Sequence, residues 1–334
     1  MKKCLVVGGA SFIGANLVRR LTKLGVEVHV ICQADHDFWR LYDMQFDAEI
    51  IRVDIENFGL VADTVRRIRP DVIFNAASYG ASSYGTDFEK VVEVNLIGLV
   101  KLIDVCKEVG FDCFINTGSS YEYGLKASPM AEDMHLEPVT NYGIIKMAAT
   151  SYCQKEAIIN NLPIYTVRPF AVYGDLETRF HFMTRIFLAA LRGEPVQLPA
   201  KNCVRDFMYI DDLIDLYFHI ERIKPKNNFV FNGGTGKEYS FGQAVEIFKK
   251  VSGIENIDIQ WSVHGYEYIE PASWCADVTL AHKELGLVVK YDLEAGIERS
   301  FEWIKKNQHF YRQDKERLLK ENLFLSMFKT CNLE

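Results

Sequence analysis

The sequence predicts an α/β protein built on a doubly wound parallel sheet, with a smaller α/β lobe after it. Three observations carry this. A short apolar run at 3–7 passes through Gly8-Gly9-Ala10-Ser11-Phe12-Ile13-Gly14 into a helical pattern. Further apolar runs at 26–31, 49–53, 71–74 and 113–116 alternate with helical stretches. Such alternation implies parallel strands covered on both faces, with ligands at the strands' carboxyl ends. Finally, Tyr142 and Lys146 lie four residues apart at the start of a later helical stretch, which places them on one face.

Composition narrows the class. At 334 residues, 49% hydrophobic and 25% charged, the chain can bury a core like any soluble globular protein. A net charge of −7 with no long basic run argues against nucleic acid as a partner. The eight cysteines form no CxxC pair and the eight histidines show no metal-ligand spacing. The cysteines read as small buried hydrophobes in a reducing compartment, and no metal site is expected. The N-terminus lacks signal-peptide architecture, and no stretch reaches the ~18 apolar residues of a membrane span. A soluble, cytoplasmic protein is expected, with no membrane partner.

Taken in order, strand, glycine-rich turn and helix are the context of a Rossmann-type dinucleotide fingerprint. Backbone N–H groups in the turn can approach a pyrophosphate, and the helix N-terminus adds a favourable dipole. The alternative is an ordinary strand-to-helix turn. Ser11 stands where the middle glycine of the spacing is usual. The strand at 26–31 ends in Cys32-Gln33, without the acidic residue that NAD-preferring sites place near the ribose 2′-hydroxyl. Arg40 is the nearest cation for a 2′-phosphate, or else a solvated surface arginine, so NAD and NADP both remain open. Asp54-Ile55, closing the third strand, suits contact with adenine's amino group and ring face. The helix over 58–69 stops at Pro70, and the fourth strand enters Asn75-Ala76-Ala77, whose small residues let a cofactor lie close. A long helix over 87–109 contains Asn95 and Gly98. The fifth strand opens into Thr117-Gly118-Ser119-Ser120-Tyr121-Glu122-Tyr123-Gly124.

The helix carrying Tyr142 runs to about residue 160 and leads to a strand at 164–167. Residues 1–174 are expected to form the dinucleotide-binding domain, with part of the later chain adding to its sheet. Residues 175–306 form mainly a substrate lobe: helices at 180–192, 211–222, 241–252, 279–285 and 292–306, strands at 195–198, 206–209, 228–232 and 257–261. The tail, 307–334, reads as an amphipathic helix docked on the body or an oligomer contact. A lysine ammonium beside a phenol stabilises the phenolate, so the Tyr142–Lys146 pair suits acid–base chemistry near neutral pH.

These motifs, with Val172-Tyr173-Gly174 and Arg205-Asp206-Phe207-Met208-Tyr209-Ile210-Asp211-Asp212, resemble the extended short-chain dehydrogenase/reductases that modify nucleotide sugars, the NAD-dependent epimerase/dehydratase family. The resemblance covers residues 3–306 and implies cofactor contacts that include Phe12, Ile13, Asn95 and Thr117, with Ser120 and Tyr121 on the substrate. It implies Tyr142 as the acid–base residue at a sugar oxygen, Lys146 on that phenol and the nicotinamide ribose, and Ser119 on the same sugar oxygen. It implies Arg205 as a partner of the sugar-nucleotide diphosphate; the alternative is a structural ion pair with Asp206 or Asp211. Ser120 and Tyr121 stand where 4,6-dehydratases carry Asp and Glu, so dehydration is not expected. The Gly-Ser-Ser-x-Glu-Tyr-Gly pattern looks more like 4-keto-6-deoxysugar reductases, and Ala171 replaces an asparagine of many 4-epimerases. A second diphosphate arginine is missing before Ala276-Asp277; either His264 substitutes, or a cation such as Arg179 or Arg185 arrives from elsewhere, or the substrate differs from the usual nucleotide sugar. The resemblance therefore implies an NAD(P)-dependent NDP-4-ketosugar reductase, with a 4-epimerase as the alternative and a non-catalytic dinucleotide sensor behind both. A homodimer through the helices containing Asn95 and Tyr142 is expected.

Overall fold

Lys3–Val7 (β1) enters the glycine turn, and Phe12–Lys23 (α1) leaves it. The computed structural model describes residues 3–33, 39–44, 47–81, 87–127, 129–262 and 273–311. Glu27–Cys32 (β2), Glu49–Arg52 (β3), Phe58–Ile68 (α2) and Val72–Asn75 (β4) follow. Ile68 ends α2 because Arg69 turns into the left-handed region at φ 51° ahead of Pro70.

The helix expected over 87–109 is three joined pieces: Phe88–Val92 (α3), a π-helical segment Glu93–Ile97, and Gly98–Val109 (α4). A π-turn inserts an extra residue and re-aims the side chains within it. Here it carries Asn95, whose amide grips both backbone groups of Tyr79: Nδ2 donates to the carbonyl at 2.7 Å and the N–H donates to Oδ1 at 3.1 Å.

Cys113–Thr117 (β5), Asn141–Ile159 (α5) and Ile164–Pro169 (β6) complete the first half. Then come Ala171–Tyr173 (β7), Phe182–Arg192 (α6), Val196–Leu198 (β8), Val204–Arg205 (β9), Phe207–Tyr209 (β10), Ile210–Ile223 (α7) and Val230–Gly233 (β11). Tyr239–Ser240 (β12), Phe241–Ser252 (α8), Ile259–Trp261 (β13), Thr279–Leu285 (α9) and Leu293–Lys306 (α10) close the described chain, apart from a last 3-10 turn. The strand expected at 206–209 begins one residue later, at Phe207; Asp206 before it is fully buried, and its carboxylate accepts the N–H groups of Thr235 and Gly236.

Seven strands form one parallel sheet in the order β11-β6-β5-β4-β1-β2-β3. Strand β11 forms one edge of this sheet, beside β6. The pairs β7–β10, β9–β12 and β8–β13 lie outside it as separate two-stranded sheets. Register aligns the strand ends: Val7 lies opposite Ile31 and Asn75, and Asn75 opposite Asn116. The turn at Gly8, the segment 76–78 and the loop after Thr117 therefore leave the sheet along one rim.

Side chains alternate between the two faces of the sheet, as a strand requires. Cys4, Val6, Phe74 and Ile115 pack into a core shared with α1, α6, α7, α8 and α10. Leu5, Val7, Ile73 and Phe114 face a second core with α2, α4 and α5. The cysteines behave as apolar fill: Cys4, Cys106 and Cys153 are sealed, and burial pushes each thiol up to about 12. No helix among the described residues is long and apolar enough to cross a membrane.

Candidate active site

The cofactor side begins with close backbone approach. Gly8 has φ +75°, and a Cβ there would stand 2.4 Å from the Ala77 nitrogen; one on Gly14 would stand 2.3 Å from the Gly8 carbonyl oxygen. Any side chain would push the turn and the end of β4 apart. Ser11 fastens the turn on both sides. Its hydroxyl accepts the Gly14 N–H at 3.1 Å, capping α1, and donates to the Ala76 carbonyl at 3.3 Å. Phe12 and Ile13 begin α1 and pack against the larger core. Between the turn, the ends of β2 and β3 and the segment 76–79 lies an open cleft. Gly8, Ser11, Cys32, Gln33, Asp54, Ile55, Ala76, Ala77 and Ser78 are in its wall.

Other expected cofactor residues stand behind that wall. Arg40 is buried, not solvated: it donates to the Leu176 carbonyl at 2.7 Å and the Ala10 carbonyl at 3.3 Å, bracing the back of the turn. Asn75 is buried, donates to Asn116 Oδ1 at 2.9 Å and accepts the Ala77 N–H at 3.4 Å. Asn95 holds Tyr79 as described. The Thr117 hydroxyl meets the Tyr217 hydroxyl at 2.8 Å, and its carbonyl accepts from Lys146.

Thr140 caps α5 by accepting the Gly143 N–H at 3.0 Å, which starts the helix one residue before Tyr142. Tyr142 and Lys146 then share a face, with the ammonium 5.8 Å from the phenol ring centre. Lys146 is 2% exposed and donates to the Thr117 carbonyl at 2.5 Å, tying α5 to the end of β5. The Tyr142 hydroxyl lies 3.1 Å from the Ser78 hydroxyl, so the phenol oxygen reaches the cleft wall. Gly143 is needed where the loop after β5 crosses α5, because a Cβ there would come 2.5 Å from the Tyr121 carbonyl oxygen.

Ser119 sits in that loop as an N-cap. Its hydroxyl accepts the Tyr121 N–H at 3.2 Å while its own N–H donates to Glu122. Glu122 is fully buried; it accepts from Ser119 N–H, from the Thr150 hydroxyl on α5 at 2.9 Å, and from Arg168 Nε at 2.8 Å. Burial pushes this carboxyl up against the pull of Arg168. Arg168 continues to the Tyr123 hydroxyl, which donates to Asn232 at 2.7 Å. A polar chain thus runs under the Ser119 loop.

On the substrate side, Ser120 is buried, and Tyr121 stands edge-on to Tyr142 with ring centres 6.1 Å apart. Tyr121 also stands against Trp274, with ring centres 4.8 Å apart. Arg205 lies over Trp274 and Phe241 at 5.4 and 5.5 Å and donates to the Val204 carbonyl. Asp206 and Asp211 are engaged elsewhere, by Thr235 and by Arg20 and Arg299. A wall Tyr142–Tyr121–Trp274–Arg205 follows. Arg179 stacks on Phe180 at 5.2 Å, in the segment leading into α6. His264 lies outside the described residues. Among the described residues no group of three His, Cys, Asp or Glu side chains is placed to hold a metal.

Sequence reasoning missed Ser78, Glu122 and Trp274. Trp274 is 4% exposed, and its indole N–H has no hydrogen-bond partner among the described residues. The only sequence signal for it is a tryptophan two residues before Ala276-Asp277, in the region where a diphosphate arginine was expected.

Comparison with known proteins agrees with this geometry. The family described as "NAD dependent epimerase/dehydratase family" matches over residues 4–232. A UDP-glucose 4-epimerase of Lactobacillus helveticus is 27% identical, over 92% of this chain and 99% of its own. The crystal structure of UDP-glucuronic acid 4-epimerase from Bacillus cereus, in complex with UDP-glucuronic acid and NAD, is 27% identical with a TM-score of 0.79, covering 92% of this chain and 99% of that one. MoeE5 in complex with UDP-glucuronic acid and NAD is 25% identical with a TM-score of 0.80, covering 91% and 99%.

Proposed function

The chain belongs to the NAD-dependent epimerase/dehydratase family and is an NAD(P)-using enzyme of nucleotide sugars; from that premise we propose that it is a nucleotide-sugar 4-epimerase. Sequence alone ranked a 4-ketosugar reductase first. The relatives named above favour the epimerase, since two of them carry that name over nearly their whole length.

The observation that carries the reading is the setting of the Tyr142 oxygen at the cleft wall, with Lys146 on its own helix face. The cleft fits a dinucleotide: Gly8 and Gly14 leave no space for a Cβ, and Gly8, Ser11, Ala76 and Ala77 would hold it. When bound, the nicotinamide supplies a reversible hydride acceptor. Tyr142 takes the proton from the sugar C4 hydroxyl and returns it after the sugar has turned over in the pocket. Lys146 places positive charge 5.8 Å from the centre of the ring whose oxygen carries the developing negative charge. Ser119 keeps its O–H available to the same sugar oxygen, because its cap bond uses it only as an acceptor. Arg205 and Trp274 line the way to the diphosphate.

Elimination of water fits poorly. The carboxylate in the loop 119–123 is Glu122, sealed and committed to Arg168 and Thr150. The reductase stays as second reading because the Gly118-Ser119-Ser120-x-Glu122-Tyr123-Gly124 pattern resembles that subgroup and Ala171 departs from the asparagine of many 4-epimerases. A homodimer is proposed with either reading; Ile97 and Ile144, on the helices expected at its interface, are 38% and 42% exposed.

Incubating the purified chain with UDP-glucose or UDP-glucuronic acid should give the C4 epimer without net change in external cofactor. Steady consumption of NADH or NADPH with an NDP-4-ketosugar, and no epimer, would replace the epimerase by the reductase.

A further inference from the structure

We propose that Ser78 is a second catalytic hydroxyl, hydrogen-bonded to the Tyr142 oxygen while that oxygen exchanges the sugar proton. The inference rests on the reading of Tyr142 as the acid–base group. The Ser78 and Tyr142 hydroxyl oxygens are 3.1 Å apart, although 64 residues separate them in the chain. Ser119, the serine that sequence assigns to this neighbourhood, instead turns its hydroxyl to the Tyr121 N–H.

Ser78 is held in place from both sides. The Ala77 N–H donates to the side chain of Asn75, itself fixed by Asn116. Both backbone groups of Tyr79 are gripped by Asn95, which the π-helical segment Glu93–Ile97 aims at them. π-turns inside helices recur at functional sites. Two buried amides therefore pin the residues on either side of one exposed serine, and the serine faces the phenol oxygen.

The chemistry needs no further reactant. The Ser78 O–H donates to the ionised Tyr142 oxygen; once Tyr142 has taken the sugar proton, the Ser78 oxygen accepts from the neutral phenol. A hydroxyl can do both by rotation. Ser78 neither gains nor loses a proton over a cycle. Its contribution is greatest when the phenol oxygen is charged, because hydrogen bonds to charged groups are the strong ones.

The test uses the full chain and compares Ser78→Ala and Ser78→Thr with wild type. Four quantities are read: kcat, KM, calorimetric affinity for UDP, and cofactor content after purification. Ser78→Ala should lower kcat about 10- to 100-fold, the worth of a hydrogen bond to a charged oxygen. KM, UDP affinity and cofactor content should stay at wild-type values, and Ser78→Thr should recover most of the rate. Wild-type kcat in Ser78→Ala, failure of Ser78→Thr to recover it, or a loss that tracks cofactor content would each overturn the proposal. The ratio is read on whichever reaction the wild type performs. A wild type that reduces rather than epimerises thus refutes the 4-epimerase reading and leaves the Ser78 comparison decisive.

Discussion

Arg168 Nε stands 2.8 Å from a Glu122 carboxylate oxygen, with the two side chains 2% and 0% exposed. The same carboxylate holds the Ser119 N–H and the Thr150 hydroxyl, so one buried ion pair fastens β6, the Ser119 loop and α5 together. Replacing Glu122 by Ala leaves the Arg168 charge buried and should cost about 3–5 kcal/mol. Replacing both residues by Met should cost less than the sum of the single changes, because no charge is then stranded. Denaturant melts of Glu122→Met, Arg168→Met and the double variant check this; strictly additive losses would mean that the pair is not coupled.

Tyr142→Phe removes the proton carrier but keeps the ring that packs beside Tyr121. Turnover should fall by about 10²- to 10⁴-fold, the usual contribution of a positioned acid–base group. Cofactor content and UDP affinity should remain. Single-turnover assays and calorimetry separate these, and a variant with normal turnover would take Tyr142 out of the mechanism.

Trp274→Phe keeps an aromatic ring against Tyr121 and deletes a buried N–H that has no hydrogen-bond partner among the described residues. Two effects of opposite sign are expected. Nucleotide-sugar affinity should drop about 2- to 10-fold, the worth of one neutral hydrogen bond, while the free protein gains stability because an unsatisfied buried donor is gone. A thermal melt and a binding isotherm on one preparation report both. Unchanged affinity would mean that the indole N–H meets no substrate.

Glu132 links pH to stability. Burial raises its carboxyl to about 7, while the Asn232 N–H that donates to it at 2.8 Å pulls the other way. A carboxyl raised above its unfolded value gives stability that is complete below the unfolded pKa and lost as pH rises through the folded one. From about pH 4.5 to 7 the wild type should therefore lose stability relative to Glu132→Gln, which keeps the acceptor oxygen and cannot ionise. Melting both proteins at pH 5 and pH 8 tests the sign: the variant should gain on the wild type at the higher pH. Parallel melting curves would show that Glu132 ionises freely in the folded chain.

Local sequence carried much of the architecture. The order strand, glycine turn, helix depends on residues within a dozen positions of one another, and repeated apolar runs announce a parallel sheet. The helix over 87–109 was legible as a helix, but its π-turn was not; the contact that turn serves, Asn95 on the backbone of Tyr79, lies 16 residues away. Arg40 read as a cation near the ribose; the carbonyls it braces belong to Ala10 and Leu176, and Leu176 lies 136 residues further along. Asp206 read as part of a strand because nothing local shows that Thr235 and Gly236 draw it inward.

By itself the sequence determined the sheet, the glycine cradle and the four-residue spacing that sets Tyr142 and Lys146 on one helix face, since all of these follow from backbone periodicity. Tertiary structure alone decided that Ser78 meets the phenol oxygen, that Glu122 takes Arg168, and that Trp274 stands against Tyr121. Those contacts join different strands, loops and helices across long stretches of chain. A side chain's periodicity records which face it occupies and nothing about the partner that the packing of other elements brings to it.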